Sequence, residues 1–177
     1  MSQPTPSERP RESEYAPFYA GYVAQVPEAD VLAVLEGQPD VIRRVAASVT
    51  AEREGFRYAP GKWSVREVFG HMADAERLFT YRALSIARGN AVELPGFDEN
   101  VAVEQSGFDH RPLASLADEL LAVRAATLPL FRHLEPQAWQ RTGTANGHPV
   151  SVRALAFITA GHVRHHLEIL RERYGVG

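Results

Sequence analysis

The chain has 177 residues, enough for one domain with a sizeable apolar core. Its composition, 45% hydrophobic and 23% charged, is that of an ordinary globular protein, and a net charge of −3 offers no field to attract nucleic acid. With no cysteine, disulfides, Cys-ligated zinc, iron–sulfur clusters and a cysteine nucleophile are excluded.

The N-terminus is polar and proline-rich, without the apolar core of a signal peptide, and no run is long enough to span a bilayer, so a cytoplasmic protein with no membrane partner is expected. Residues 1–14 read as a disordered tail and residues 15–177 as the folded domain. Tyr15, Phe18, Tyr19 and Tyr22 form an aromatic cluster, read as an arm packed on the fold, with a lid over a pocket as the alternative. Asp30 is the expected cap of a short helix through Leu35 that ends at Gly37. Pro39 then fits the first turn of a second helix, from Asp40 to about Glu54, with Val41, Ile42, Val45 and Val49 as its apolar stripe.

After a loop from Gly55 to Gly61, Ser64 and Glu67 make a capping box. The helix they start runs to about Gly89, with Val65, Val68, Phe69, Met72, Phe79, Ala83 and Ile86 on one face. His71 lies at the edge of that face. Glu76 projects into its middle, an unusual place for an acid, and is either a base facing a wet cavity or the partner of a buried cation. Leu94 to Asp98 break the helix, and the connection through Arg111-Pro112 is longer than most. Ser115 is the expected cap of a third long helix reaching about Leu134, kinked at Pro129. Thr142 to Pro149 reads as a loop, and Ser151 caps the last helix. No stretch alternates as a strand would, so the fold class is all-α: four long helices in a bundle, plus a short N-terminal piece.

The last helix carries three of the seven histidines. At about 100° per residue, His162 and His166 fall near the middle of its apolar face, His165 falls at the edge near Glu172, and Phe157 falls awkwardly on the polar side. Two imidazoles four apart sit about 6 Å apart on one helix side, a spacing that suits one shared metal ion as well as two core histidines with separate partners. His110, His133 and His148 lie in loops or at helix ends and read as solvated. There is no HExxH, no Glu-x-x-His and no phosphate-binding glycine motif, which leaves histidine-only ligation.

The run Lys62-Trp63-Ser64-Val65-Arg66-Glu67 through His71, Asp74 and Glu76 resembles the first signature of the DinB/YfiT-like metalloenzyme superfamily. His162-Val163-Arg164-His165-His166 resembles its second, H-x-x-x-H in a final helix. The resemblance covers roughly residues 15–174, including Leu94 to Glu99 and Arg124 to Thr127. It implies a four-helix bundle with up-down-down-up connectivity and a long crossover between helices 2 and 3. It also implies a divalent metal, zinc or nickel, on His71, His162 and His166, and often a homodimer.

Asp74 would orient His71 through its second ring nitrogen, and Glu76 is the candidate catalytic base. Three neutral ligands leave a position open for substrate. The leading expectation is transfer of a low-molecular-weight thiol to a small electrophile. A water-activating hydrolase and a non-catalytic, stress-associated metal-binding protein are the alternatives. DNA binding is disfavoured by the acidic balance and the lack of a Lys/Arg stripe.

Overall fold

The computed structural model describes residues 8–90 and 93–177. Four long helices make the body: α2 (Val31–Ser48), α3 (Val65–Ala87), α5 (Leu113–Arg132) and α7 (Val152–Tyr174). Shorter pieces are α1 (Ala20–Ala24), α4 (Glu99–Ser106), α6 (Pro136–Trp139) and a hairpin of β1 (Thr142–Ala145) and β2 (His148–Ser151). Both α2 and α3 pack on α5 and α7, so α2 and α3 occupy opposite corners of the bundle. Among the described residues no helix is long and apolar enough to cross a membrane.

The two helices expected on either side of Gly37 are one. Asp30 caps α2, accepting from the Ala33 amide at 3.0 Å, but the helix runs on through Gly37 and Pro39. Proline has no N–H to give the carbonyl four residues back, which is that of Leu35. The guanidinium of Arg124 supplies the missing donor, with Nη1 3.0 Å from the Leu35 oxygen. A tertiary contact therefore carries the helix across a residue that normally breaks one.

The capping box of α3 forms as expected: the Glu67 amide donates to Ser64 Oγ at 3.1 Å, and Glu67 Oε2 accepts from the Ser64 amide at 2.7 Å. Helix α5 starts two residues before Ser115, with Pro112 at the cap position and Ser115 Oγ accepting from Arg111 at 3.0 Å. It continues through Pro129. The long connection holds α4, capped by Asp98, and a 3-10 turn, Phe108–His110. Phe108 packs on α3 at Gly70, where a Cβ would come within 2.5 Å of its ring. Only glycine lets the crossover seat there, one residue from His71.

The expected loop at 142–149 is the β1–β2 hairpin. Ala145 pairs with His148 around Asn146-Gly147, whose φ values of 52° and 74° are those of a two-residue hairpin turn. Leu94 adds to its edge, donating to Thr144 O and accepting from the Asn146 amide, each at 2.9 Å.

Of the expected tail, residues 1–7 lie outside the described residues. Beyond them the chain is packed well before Tyr15. Pro10 is buried, Arg9 Nη2 donates to the Val23 carbonyl at 3.0 Å, and Glu14 pairs with Arg153 of α7. These partners are distant in sequence, so local composition could not reveal them.

Every residue of α7 from Val152 to Val163 is buried. Phe157 is no exception to the pattern, because this half of the helix has no solvent face: Arg9 lies over its ring and α1 covers the next turn. The approach of α1 depends on Gly161, where a Cβ would fall 1.9 Å from the Tyr22 carbonyl oxygen.

The buried apolar residues form two clusters, with a polar layer between them. Along α2 the layer holds Gln38, between Leu35 and Ile42; along α3, Glu76, between Met72 and Phe79. Along α5 it holds Arg124 and Thr127, between Leu120 and Phe131; along α7, His162, between Ala160 and Val163.

Candidate metal centre

His71 comes from the second turn of α3, and His162 and His166 come from successive turns of α7. Their exposures are 6%, 3% and 7%. His71 Nε2 lies 3.0 Å from His162 Nε2, and His166 Nε2 lies 3.1 Å from the same atom. One ring nitrogen from each falls within 4.8 Å of the others. The edge position of His71 on its helix is what aims it into the groove between α3 and α7.

A neutral imidazole nitrogen has either one proton or one lone pair. If His162 Nε2 accepts from His71, it has nothing left for His166, and the converse also holds. A single cation takes one lone pair from each ring, so the donor set fits a metal better than it fits a hydrogen-bonded trio. Neutral nitrogen donors suit zinc, nickel, copper or iron. Burial pushes His71 down to about 4, with His165 adding to the effect. Burial likewise holds His162 and His166 well below the ordinary imidazole value, assisted by the neighbouring histidines. All three rings are thereby neutral at pH 7, the state that ligates.

The rings around the trio are aromatic. Trp63 lies 4.6 Å from His71, Tyr22 lies 5.2 Å from His162 and Phe79 lies 5.5 Å from His162, centroid to centroid. The aromatic arm supplies part of this wall, so it both packs on the bundle and lines a cavity. That cavity, of about 510 Å³, is lined by the three histidines and also by Tyr19, Arg82, Phe97 and Asn146.

His165 stays out of the trio. It is half-buried, 5.1 Å from the His166 ring and 5.2 Å from Tyr22. Glu172, near which the helix projection places it, lies by Arg171 instead, and the carboxylate that acts on His165 is Glu168. Asp74 does not orient His71: it pairs with Arg77 at 3.0 Å, and His71 Nδ1 has no partner among the described residues. His110, His133 and His148 are exposed.

Glu76, the candidate base, faces away from the cavity. It is 1% exposed and accepts from Arg124 on both oxygens, from Nε at 2.7 Å and from Nη2 at 2.8 Å. Arg124 Nη1 also donates to Gln38 Oε1 at 2.6 Å, and Gln38 Nε2 donates to the Ala160 carbonyl at 2.7 Å. The acid on the apolar face thus has the buried cation as its partner, and the resulting knot joins all four long helices.

A family model described as the DinB superfamily matches residues 35–170. The chain belongs to the DinB superfamily. Among solved structures, this DinB-superfamily chain is similar to YfiT from Bacillus subtilis, described as a probable metal-dependent hydrolase with an unusual four-helix bundle topology. The identity is 20%, the TM-score is 0.71, and the match covers 97% of this chain and 95% of that one. It is also similar to a mycothiol-dependent maleylpyruvate isomerase, at 15% identity and a TM-score of 0.63, over 82% of this chain and 61% of that one. No curated protein matches the chain. At these identities the two structures speak for the fold.

Sequence reasoning missed Trp63 and Phe79 as walls of the site and Arg124 as the partner of Glu76, and it offered Tyr22 only within the alternative of an aromatic lid over a pocket. For Tyr22 a signal existed: an aromatic run ahead of the bundle and a glycine, Gly161, beside His162. Nothing local pointed to Arg124.

Proposed function

We propose that this protein is a divalent-metal-dependent enzyme that transfers a low-molecular-weight thiol to a small electrophile, with zinc or nickel held by His71, His162 and His166. The observation that carries the reading is the convergence of three buried Nε2 atoms on the wall of a cavity large enough for a small molecule. A bound divalent cation would supply Lewis acidity, acidifying a coordinated thiol or water so that it attacks at neutral pH.

The chain's own residues do the rest. Burial keeps the three imidazoles neutral. Trp63, Tyr22 and Phe79 exclude water and offer an apolar bed for the electrophile. With both oxygens on Arg124, Glu76 serves position and not proton transfer. No carboxylate hydrogen-bonds to the trio among the described residues, so a thiol held there would have to give up its proton without help from a carboxylate base.

Hydrolysis is the second reading, and the similarity to YfiT favours it. A metal-binding protein without turnover is the third. The test is to purify the chain, measure bound metal, and compare thiol conjugation of a chromogenic aryl halide, using a panel of small thiols, with hydrolysis of a nitrophenyl ester. Thiol-dependent, metal-dependent conjugation supports the first reading. Ester turnover alone moves the assignment to hydrolysis, and full metal occupancy with neither activity leaves the binding protein.

We also infer up-down-down-up connectivity. Contacts advance together along α3 and α5 (Glu76 with Arg124, Thr80 with Thr127) and along α2 and α7 (Gln38 with Ala160, then Arg53, in the turn just past α2, with Tyr174). They run oppositely along α3 and α7, where Trp63 meets Tyr174 and His71 meets His162. We further propose that the protein is a cytoplasmic homodimer, the assembly to be tested by light scattering in solution.

A further inference from the structure

Three arginines are buried: Arg82, Arg124 and Arg153. Arg124 has Glu76 and Arg153 has Glu14, as a guanidinium withdrawn from water requires. Arg82 is only 2% exposed, yet it forms no ion pair among the described residues. Its Nη1 donates to the Tyr19 hydroxyl at 3.2 Å and its Nη2 to the Pro95 carbonyl at 2.6 Å. Its Nε is buried without a partner among the described residues. A full positive charge is therefore held by two neutral oxygens, and it lines the same cavity as the three histidines.

Between the guanidinium and the imidazoles the lining is a series of rings. Tyr19 lies 6.0 Å from Phe79 and 6.2 Å from Tyr22, and each of those reaches His162, at 5.5 Å and 5.2 Å. Glu99 also lines the cavity, but it is exposed and is not paired with Arg82. An anion in the cavity would meet a buried cation that has no counter-ion among the described residues, with aromatic rings between it and the imidazoles.

We propose that Arg82 is an anion subsite, and that the substrate is a small organic acid. Its carboxylate would dock on the guanidinium, its apolar body would lie on Phe79, Tyr19 and Tyr22, and its reactive carbon would face the histidines. This deepens the functional reading above and rests on the same cavity being the active site. The carboxylate takes the place of the missing counter-ion and forms charge-assisted hydrogen bonds with the guanidinium.

The test compares benzoate, phenylacetate and 4-phenylbutyrate with their amides by isothermal titration, on the full chain loaded with zinc and on the same chain after chelation. At least one acid should bind roughly tenfold tighter than its amide, the worth of a hydrogen bond to a charged group. The preference should appear with and without zinc. Arg82→Gln should abolish it while leaving amide binding intact, Arg82→Lys should retain part of it, and Glu99→Gln should enlarge it. Equal binding of every acid and its amide overturns the proposal, as does a preference that survives Arg82→Gln. A preference that needs zinc places the carboxylate on the cation, which overturns the subsite while sparing the metal reading. Conversely, a zinc-free chain with no affinity for zinc and an intact Arg82-dependent preference sinks the metal reading alone. If Arg82→Gln does not fold, the Arg82 Nε–H resonance decides, assigned in 15N-arginine-labelled protein by its loss in Arg82→Lys. It should shift with acid and not with amide, and a resonance indifferent to both overturns the proposal.

Discussion

Replacing Glu76 by glutamine separates a structural acid from a catalytic one. The substitution keeps the shape of the side chain but removes its charge and turns one acceptor into a donor facing the guanidinium of Arg124. Glu76 now accepts two hydrogen bonds, at 2.7 and 2.8 Å, from a side chain with no exposure at all. Breaking a buried pair by removing one partner costs about 3–5 kcal/mol, because the remaining charge is stranded. The Leu35 carbonyl and Gln38 still hold Nη1, so the lower end, about 3 kcal/mol, is expected. For a domain of this size that is a fall in Tm of roughly 6–12 °C. Circular dichroism at 222 nm reads the melt, and mass spectrometry of the metal reads occupancy. Bound zinc should stay near the wild-type ratio in the folded protein at low temperature. An unchanged Tm with abolished metal-dependent turnover would make Glu76 a cavity base and refute the assignment.

The other perturbations probe the site and its supports. His166→Ala should remove most bound metal and His165→Ala little of it; equal losses would show that the facing of the two rings does not decide ligation. Gly161→Ala puts a methyl 1.9 Å from the Tyr22 carbonyl, which is backbone and cannot swing away, so a loss of about 3 kcal/mol or more is expected from denaturant melts. Gly37→Ala, with open space around it in mid-helix, should instead gain about 0.5–1 kcal/mol. Burial alone would raise the Glu14 carboxyl, but hydrogen bonds from Arg153, Ser151 and the Arg11 amide outweigh it and hold it at about 2. A depressed folded value stabilises above the ordinary 4.5 and is lost as pH falls toward 2. Glu14→Gln should therefore be less stable at neutral pH and lose less on acidification through that window, and an acid profile parallel to wild type would remove this pair as a cause.

Much of the site was legible because its signals are local. Ser64 and Glu67 announce the start of α3, and the spacing of His162 and His166 puts both rings on one helix face. His71 looked marginal because a ring aimed into a groove sits at the edge of its helix stripe. What was not legible depends on distant partners. Pro39 reads as a helix start until Arg124 is known to cap the Leu35 carbonyl. Phe157 reads as misplaced until α1 and Arg9 cover that side. Glu76 carried the right two alternatives, and only Arg124, 48 residues on, chooses between them. The hairpin is a different kind of miss: Asn146-Gly147 is a local turn signal, overlooked because the flanking strands are only four residues each.

The polar layer also says why the histidines meet. Apolar clusters of valine, leucine and alanine tolerate helix slippage, since many registers pack almost equally well. The fork of Arg124 does not: it takes Glu76 from α3 and Leu35 and Gln38 from α2, while Gln38 takes Ala160 from α7. A slide of any helix by one turn, about 5.4 Å, breaks at least one of these bonds. Ala160 is two residues from His162, and Glu76 is five from His71, so the register is fixed at the level of the site. Stability and site geometry should then come apart. In Glu76→Leu/Arg124→Met both charges leave together, and such replacements are often neutral or stabilising by about 1–4 kcal/mol. That variant should melt no lower than wild type yet bind zinc more weakly, with broadened histidine resonances. Undiminished zinc affinity in a stable double variant would mean that apolar packing alone sets the register, and that the knot contributes nothing to the site.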